Sequence, residues 1–138
     1  MLEDLGFERD VLQPVVTFGK DHLRLDFPPA GGVLALRRSL IVPYSTIRDV
    51  RVEEAPWPGV VHLQRLGTHV PGAACLGTFW VDGEKRFYFF LKGDRVVDFV
   101  LDEHPYRRIV IGTREPDVLA ADVKSLLPGS RGSETQSF

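Results

Sequence analysis

Two histidines and one cysteine could supply ligands to a metal ion. His62, His69 and Cys75 carry the nitrogen and sulfur atoms that zinc prefers. Structural zinc sites usually arrange their ligands as two pairs at short spacings, and this set has neither the spacings nor a second pair. We therefore expect both histidines to be polar loop residues and Cys75 to be a buried apolar side chain. We expect no metal and no other cofactor.

Three aspartates recur at even spacings and could place carboxylates side by side. Asp94, Asp98 and Asp102 would share one face of a continuous strand. Calcium-binding loops need a loop glycine and clustered oxygen ligands, and this segment has neither. The pattern therefore predicts a solvated strand face rather than a calcium site.

Catalytic ingredients are present without a catalytic arrangement. Ser39, Ser45 and the four histidines lie outside any Gly-x-Ser-x-Gly, His-Glu-x-x-His or phosphate-loop motif. No predicted helix follows Gly67, Gly72 or Gly77 directly, so these glycines indicate turns and bends rather than an anion cradle. We expect a protein that is not an enzyme.

Much of the aromatic content lies in one predicted β-hairpin within residues 65–91. Asp82-Gly83 stands at its turn, because both residues tolerate a positive φ. If the odd-numbered residues of the second strand face the core, Tyr88 and Phe90 face outward, and Trp80 would flank them. An outward apolar stripe suggests a covered surface: either the C-terminal helix or the N-terminal arm covers it, or a partner does. The candidate interaction surface consists of Trp57, His69, Trp80, Tyr88 and Phe90.

Composition favours one ordinary globular domain. The chain has 138 residues, of which 43% are hydrophobic and 26% are charged. A net charge of −2 provides no general attraction to nucleic acid or anionic lipid. The single cysteine, the acidic N-terminus without signal-peptide character and the lack of an apolar run of ~20 residues together predict a cytoplasmic protein with no transmembrane segment.

The order of the elements predicts a mainly β domain. We expect residues 1–14 to form a lead-in, residues 15–127 the domain, and residues 128–138 a disordered tail. Short alternating runs indicate about seven strands in an antiparallel meander, including one over residues 33–37 after a Pro-Pro-Ala-Gly-Gly break. A connection over residues 56–74 is the candidate functional loop. Pro116 begins a helix whose apolar stripe continues through Leu119, Val123 and Leu126. A barrel or sandwich capped by this helix would cover the sheet edges.

The sequence resembles the bacterial pleckstrin-homology-like (PH-like) domains over residues 15–127. The resemblance rests on Ile41-Val42-Pro43-Tyr44-Ser45 with Ile47, Val50 and Val52, on Arg65-x-Gly67-Thr68, Pro71-Gly72 and Gly77-Thr78-Phe79, on the hairpin, and on residues 109–127. It implies a PH-like split barrel of two orthogonal sheets closed by the C-terminal helix. The family has no common active site, so no catalytic residue is implied.

The same resemblance suggests one further site. Eukaryotic relatives often bind phosphoinositides near the first hairpin, where this chain has Lys20, Arg24, Arg37 and Arg38. Asp21 and Asp26 dilute that charge and the spacing of the familiar basic motif is missing, so we do not expect such binding.

Two functions fit the sequence. The first is a non-catalytic interaction module that contacts another protein, or a second copy as a homo-oligomer, through the aromatic hairpin and the 56–74 loop. The alternative is a barrel that binds a small apolar ligand. The volume of the inward-facing side chains favours the first. Membrane-surface attachment ranks third, because the charge is close to neutral.

Overall fold

The computed structural model describes residues 13–58 and 64–127. Within these ranges the chain forms nine strands, two α-helices and one 3₁₀ turn. In chain order they are β1 (Val15–Phe18), β2 (His22–Asp26), α1 (Pro29–Ala35), β3 (Ser39–Pro43), the 3₁₀ turn (Tyr44–Thr46), β4 (Ile47–Glu54), β5 (Arg65–Val70), β6 (Ala74–Val81), β7 (Glu84–Leu91), β8 (Arg95–Leu101), β9 (Arg108–Gly112) and α2 (Pro116–Leu126).

The strands form two separate sheets in the described part of the chain. One sheet has the order β1-β2-β3, and the other has the order β4-β8-β9-β7-β6-β5. The prediction of a mainly β fold with one C-terminal helix is confirmed. The sheets do not join into a closed barrel, and the expectation of purely antiparallel pairing is wrong, because β9 runs parallel to β7.

Strand β9 lies between β7 and β8, although β7 and β8 are consecutive in sequence. The loop that joins β7 to β8 therefore passes the end of β9. Its Asp94 Oδ2 accepts a hydrogen bond from the Leu91 amide at 2.8 Å. A side chain on Gly112, the last residue of β9, would overlap the Asp94 carboxylate. The missing side chain of Gly112 is what lets the loop close over β9.

The main core lies between the two sheets and under α2. The Phe27 ring lies 4.7 Å from the Phe89 ring and 5.1 Å from the Phe87 ring, measured between centroids. Helix α2 packs on β4 and β8 and buries Ala120 and Val123 in the same cluster. Burial of these apolar faces stabilises the arrangement of sheets and helix.

Residues 33–37, which the alternating pattern predicted as a strand, begin inside helix α1. Pro29 occupies the first turn, where a proline needs no amide hydrogen bond. Gly31 and Gly32 are buried, and a Cβ on Gly32 would lie 3.2 Å from the Arg37 carbonyl oxygen. The glycines thus allow close packing of the helix, and Leu36 ends it in a left-handed conformation (φ 56°).

The predicted hairpin is confirmed between β6 and β7. Asp82 and Gly83 adopt φ values of 52° and 79° at its turn, and Val81 pairs with Glu84. Strand β5 occupies part of the segment that was expected to be a loop over residues 56–74. The aspartates expected on a solvated strand face do not share that environment: the side chains of Asp94 and Asp98 are buried.

Candidate functional site

The six-stranded sheet has a second apolar cluster on the face turned away from the main core, which we call the outer face. The cluster consists of Cys75, Phe79, Tyr88, Phe90, Val96 and Val110. Strand alternation places these residues opposite the Phe87 and Phe89 side chains of the main core. Four of the five residues proposed from the sequence lie in or beside this cluster: Trp57, His69, Tyr88 and Phe90.

Aromatic rings connect these residues in a row. Trp57 meets Phe90 edge to face at 5.0 Å between ring centroids, and Phe90 lies 5.3 Å from Tyr88. Tyr88 lies 5.3 Å from Phe79, whose ring meets His69 edge to face at 5.7 Å. Such geometries are the favourable ones for aromatic pairs, so the row holds β5, β6, β7 and the Trp57 segment together.

Trp80 does not belong to this row. The two-residue turn pairs Phe79 with Arg86 and Trp80 with Lys85. Directly paired residues share a face, so Trp80 lies on the face of Phe87 and Phe89, opposite Tyr88. The expectation that Trp80 flanks Tyr88 and Phe90 is wrong, and the register of the hairpin is the reason.

Tyr88 and Phe90 are also not exposed. Each keeps about one hundredth of its accessible surface, 1% in both cases. Helix α2 packs on the other side of the sheet, and among the described residues Ala55, Trp57 and Val81 pack against the cluster. Tyr88 and Phe90 therefore point away from the main core, as the sequence predicted, but they are not accessible to a partner. Trp57 and His69 are half-buried and are the accessible part of the predicted surface.

His69 and Cys75 face each other across β5 and β6, which is the arrangement that a thiol–imidazole pair would need. Burial, however, raises the pKa of the Cys75 thiol to about 12, so the thiolate form is disfavoured at neutral pH. Burial, and then the charge of Arg65, lowers the pKa of His69. Cys75 therefore fits the role that the sequence predicted for it, a buried apolar side chain, rather than that of a reactive thiol paired with His69.

A buried charge pair lies beside the apolar cluster on the outer face. The Asp98 side chain is fully buried (0% exposed), and Arg108 donates to it from Nε at 3.1 Å and also from Nη2. Arg108 Nη2 also lies 3.4 Å from Glu53 Oε1. A hydrogen bond with Asp98, and then burial, raises the pKa of Glu53. The three residues form one satisfied ionic group within the sheet face.

A different surface is exposed around helix α1. The resemblance grouped its three arginines with Lys20, but the exposed apolar side chains beside them were not predicted. Val33 and Leu36 keep 73% and 66% of their accessible surface. They line a groove of about 530 Å³ together with Arg24, Arg37 and Arg38. We call these five residues the α1 surface. The strand predicted for residues 33–37 would have placed Val33 and Leu36 on opposite faces, whereas the helical turn brings both to solvent.

Two arginines of the α1 surface are held in place. Arg24 Nε donates to the Asp26 carboxylate at 2.9 Å. Arg37 Nε donates to the Ser39 carbonyl at 3.2 Å, and its guanidinium lies 5.7 Å from the centre of the Tyr106 ring. The Arg38 side chain has no partner among the described residues. The groove therefore presents positioned cations next to exposed apolar side chains.

Across residues 13–58 and 64–127, no three His, Cys, Asp or Glu side chains are grouped so as to hold a metal ion, and His62 lies outside these residues. None of the helices in the same ranges has the length and apolar character needed to cross a membrane. In comparisons with models of protein families, with curated proteins and with solved structures, the chain matches none of them.

Proposed function

We propose that this chain is a non-catalytic interaction module that binds another protein through the α1 surface. The observation that carries the proposal is the exposure of Val33 and Leu36 beside three arginines. Exposed apolar patches mark interaction sites, and Arg is enriched at interfaces, so this combination at a groove is typical of a binding surface.

This proposal moves the contact surface away from the aromatic hairpin. Tyr88 and Phe90 are buried, so they would have to be uncovered before they could touch a partner, whereas Val33 and Leu36 are accessible in the folded chain. We propose Trp57 and His69, the accessible part of the predicted surface, only as a secondary contact region. The PH-like relationship is likewise a proposal, and the two-sheet arrangement with a C-terminal helix is compatible with it.

The filled core supports an interaction module over the small-ligand alternative. The packed Phe27, Phe87 and Phe89 rings occupy the space between the sheets, where a barrel ligand would have to lie. Among candidate nucleophiles, the burial of Cys75 argues against thiol chemistry. We therefore also propose that the chain performs no catalysis.

Co-purification with matched surface variants tests the proposal. We would purify tagged wild type, Val33→Ser/Leu36→Ser and Val118→Ser from the cells in which the protein occurs. Val118 is a suitable control because it is 52% exposed on α2, away from the groove. We expect a stoichiometric companion with wild type and with Val118→Ser, and its loss with the α1 variant. A companion that stays on the α1 variant, or none with wild type, would contradict the proposal.

Sedimentation of the same three proteins separates a partner from self-association. If the companion is a second copy, wild type and Val118→Ser should sediment as dimers and the α1 variant as a monomer. Unfolding temperatures of all three should agree, because the substituted side chains are exposed.

A further inference from the structure

We infer that the α1 surface binds an acidic protein segment that carries a large apolar side chain. The inference rests on the proposed function and specifies the chemistry of the partner. It is carried by the placement of two cationic groups, Arg37 and Arg38, beside the apolar pair Val33 and Leu36 in one groove.

The charge of the groove differs from that of the whole chain. The groove is lined by three arginines and a single aspartate, Asp26, which is already paired with Arg24. Arg37 and Arg38 are therefore left to face an incoming group, although the chain as a whole has a net charge of −2. A positive groove on a slightly negative protein favours an anionic partner by electrostatic complementarity.

Arginine sets the kind of anion. The planar guanidinium offers parallel N–H donors that match a carboxylate. The long arginine side chain loses rotamer entropy when it is fixed by a ligand, and this loss is smaller where the side chain is already held in place. Arg37 is held, by the Ser39 carbonyl and by its position over Tyr106. A carboxylate of Asp or Glu would therefore find one arginine already oriented and Arg38 available to join it.

The exposed apolar side chains set the rest of the partner. Val33 and Leu36 are 73% and 66% exposed, so a partner that covers them gains the burial of both side chains. A Leu, Ile, Phe or Trp next to the carboxylate would fill that role. An acidic segment without such a residue would leave the apolar area exposed, and we expect it to bind weakly.

Other occupants fit less well. Two-fold pairing of the surface with itself would oppose six arginines with only two aspartates, which is unfavourable by like-charge repulsion. Nucleic acids are typically bound through some 6–10 phosphate contacts, and anionic membranes through clusters of about 4–8 Lys or Arg. Three arginines, of which one is paired, fall short of both.

Selection from a random twelve-residue peptide library displayed on phage tests the inference with the purified full chain. We expect enriched peptides to place Asp or Glu beside a large apolar residue. Synthetic copies should lose at least about tenfold in affinity, roughly 1.4 kcal/mol, against Arg38→Gln and against Leu36→Ser, and should bind Val118→Ser as they bind wild type. A carboxylate-to-amide replacement in the peptide should cost a similar factor.

The outcomes separate the two proposals. Peptides that depend on Leu36 but carry basic or uncharged residues would overturn the acidic-partner inference while leaving the α1 surface as a binding site. Peptides that bind regardless of Leu36 and Arg38, or the absence of any enrichment, would overturn both. Anionic lipid vesicles and a single-stranded oligonucleotide serve as competitors, and displacement of the peptide by either at equal charge would overturn the choice of a protein partner.

Discussion

Asp98 and Arg108 form an ion pair in which the Asp98 side chain is fully buried and the Arg108 side chain is 22% exposed. The pair lies on the outer face of the six-stranded sheet, where Asp98 pairs with Val110 of the apolar cluster and Arg108 contacts Glu53. A charge this deep is tolerated because Arg108 neutralises it and hydrogen-bonds to both of its oxygens. Removal of one partner would leave the other buried and unpaired.

Arg108→Met should therefore destabilise the protein strongly. Loss of one member of a buried pair typically costs about 3–5 kcal/mol in free energy of unfolding. Arg51→Met is the matched control, because Arg51 lies on the same sheet face but 54% exposed, in a surface pair with Asp49. Urea unfolding should show a large loss for Arg108→Met and little change for Arg51→Met. Equal effects would contradict the buried pairing.

The titration of Glu53 should make the free energy of unfolding depend on pH. Its pKa is raised above the ordinary 4.5 by the hydrogen bond with Asp98 and by burial. The folded state therefore holds this proton more tightly than the unfolded state, so the contribution of Glu53 to stability falls as the pH rises from below 4.5 through the folded pKa.

Glu53→Gln removes this titration. As the pH rises from below 4.5, the free energy of unfolding should fall less, or rise more, in the variant than in wild type. Urea unfolding at several pH values measures the difference. A free energy of unfolding that falls more, or rises less, with increasing pH in the variant than in wild type would show that the sign of this contribution is wrong.

Phe90→Ser should unfold the protein or destabilise it severely, in contrast to Leu36→Ser. Truncation of a buried phenylalanine costs about 3–5 kcal/mol, whereas an exposed apolar side chain contributes little. Phe90 is 1% exposed and also supports Trp57, whereas Leu36 is 66% exposed. Thermal unfolding followed by circular dichroism compares the two. A stable Phe90→Ser protein would restore the idea of an accessible hairpin surface.

Gly67 and Gly77 face each other across β5 and β6, and both have φ values, 133° and 139°, that L side chains rarely adopt. A Cβ on Gly77 would overlap the Leu66 carbonyl and lie 2.9 Å from the Gly67 Cα. Gly77→Ala should therefore cost more than about 2 kcal/mol. Gly72→Ala in the β5–β6 turn, with open space around it, should cost only about 1–2 kcal/mol. Similar unfolding midpoints for the two variants would contradict the close approach.

Local pattern sufficed for some of the fold. The Asp82-Gly83 turn and the stripe through Val123 depend on neighbouring residues only, and both were predicted correctly. The position of β9 depends on a contact between Gly112 and Asp94, eighteen residues apart, which sequence adjacency does not reveal. Asp98 was misjudged for a similar reason, because its partner Arg108 lies on the next strand.

The candidate site, too, could be predicted only in part from local sequence. Trp80 could have been assigned to the correct face from the sequence, since a two-residue turn fixes the pairing parity of the hairpin. The α1 surface could not, because Val33-Leu34-Ala35-Leu36 alternates weakly and follows two prolines and two glycines that usually interrupt structure. In the folded chain these glycines are buried residues of the helix itself, and packing decides its conformation.

Site-specific photo-crosslinking tests the binding role of the α1 surface most directly. A benzoylphenylalanine placed at position 36, and in a separate protein at position 118, reports which molecules touch each exposed position inside the cell. We expect an adduct of one discrete mass from position 36, its loss when Arg38→Gln is added, and no such adduct from position 118. The same adduct from position 118, or none from position 36, would contradict it.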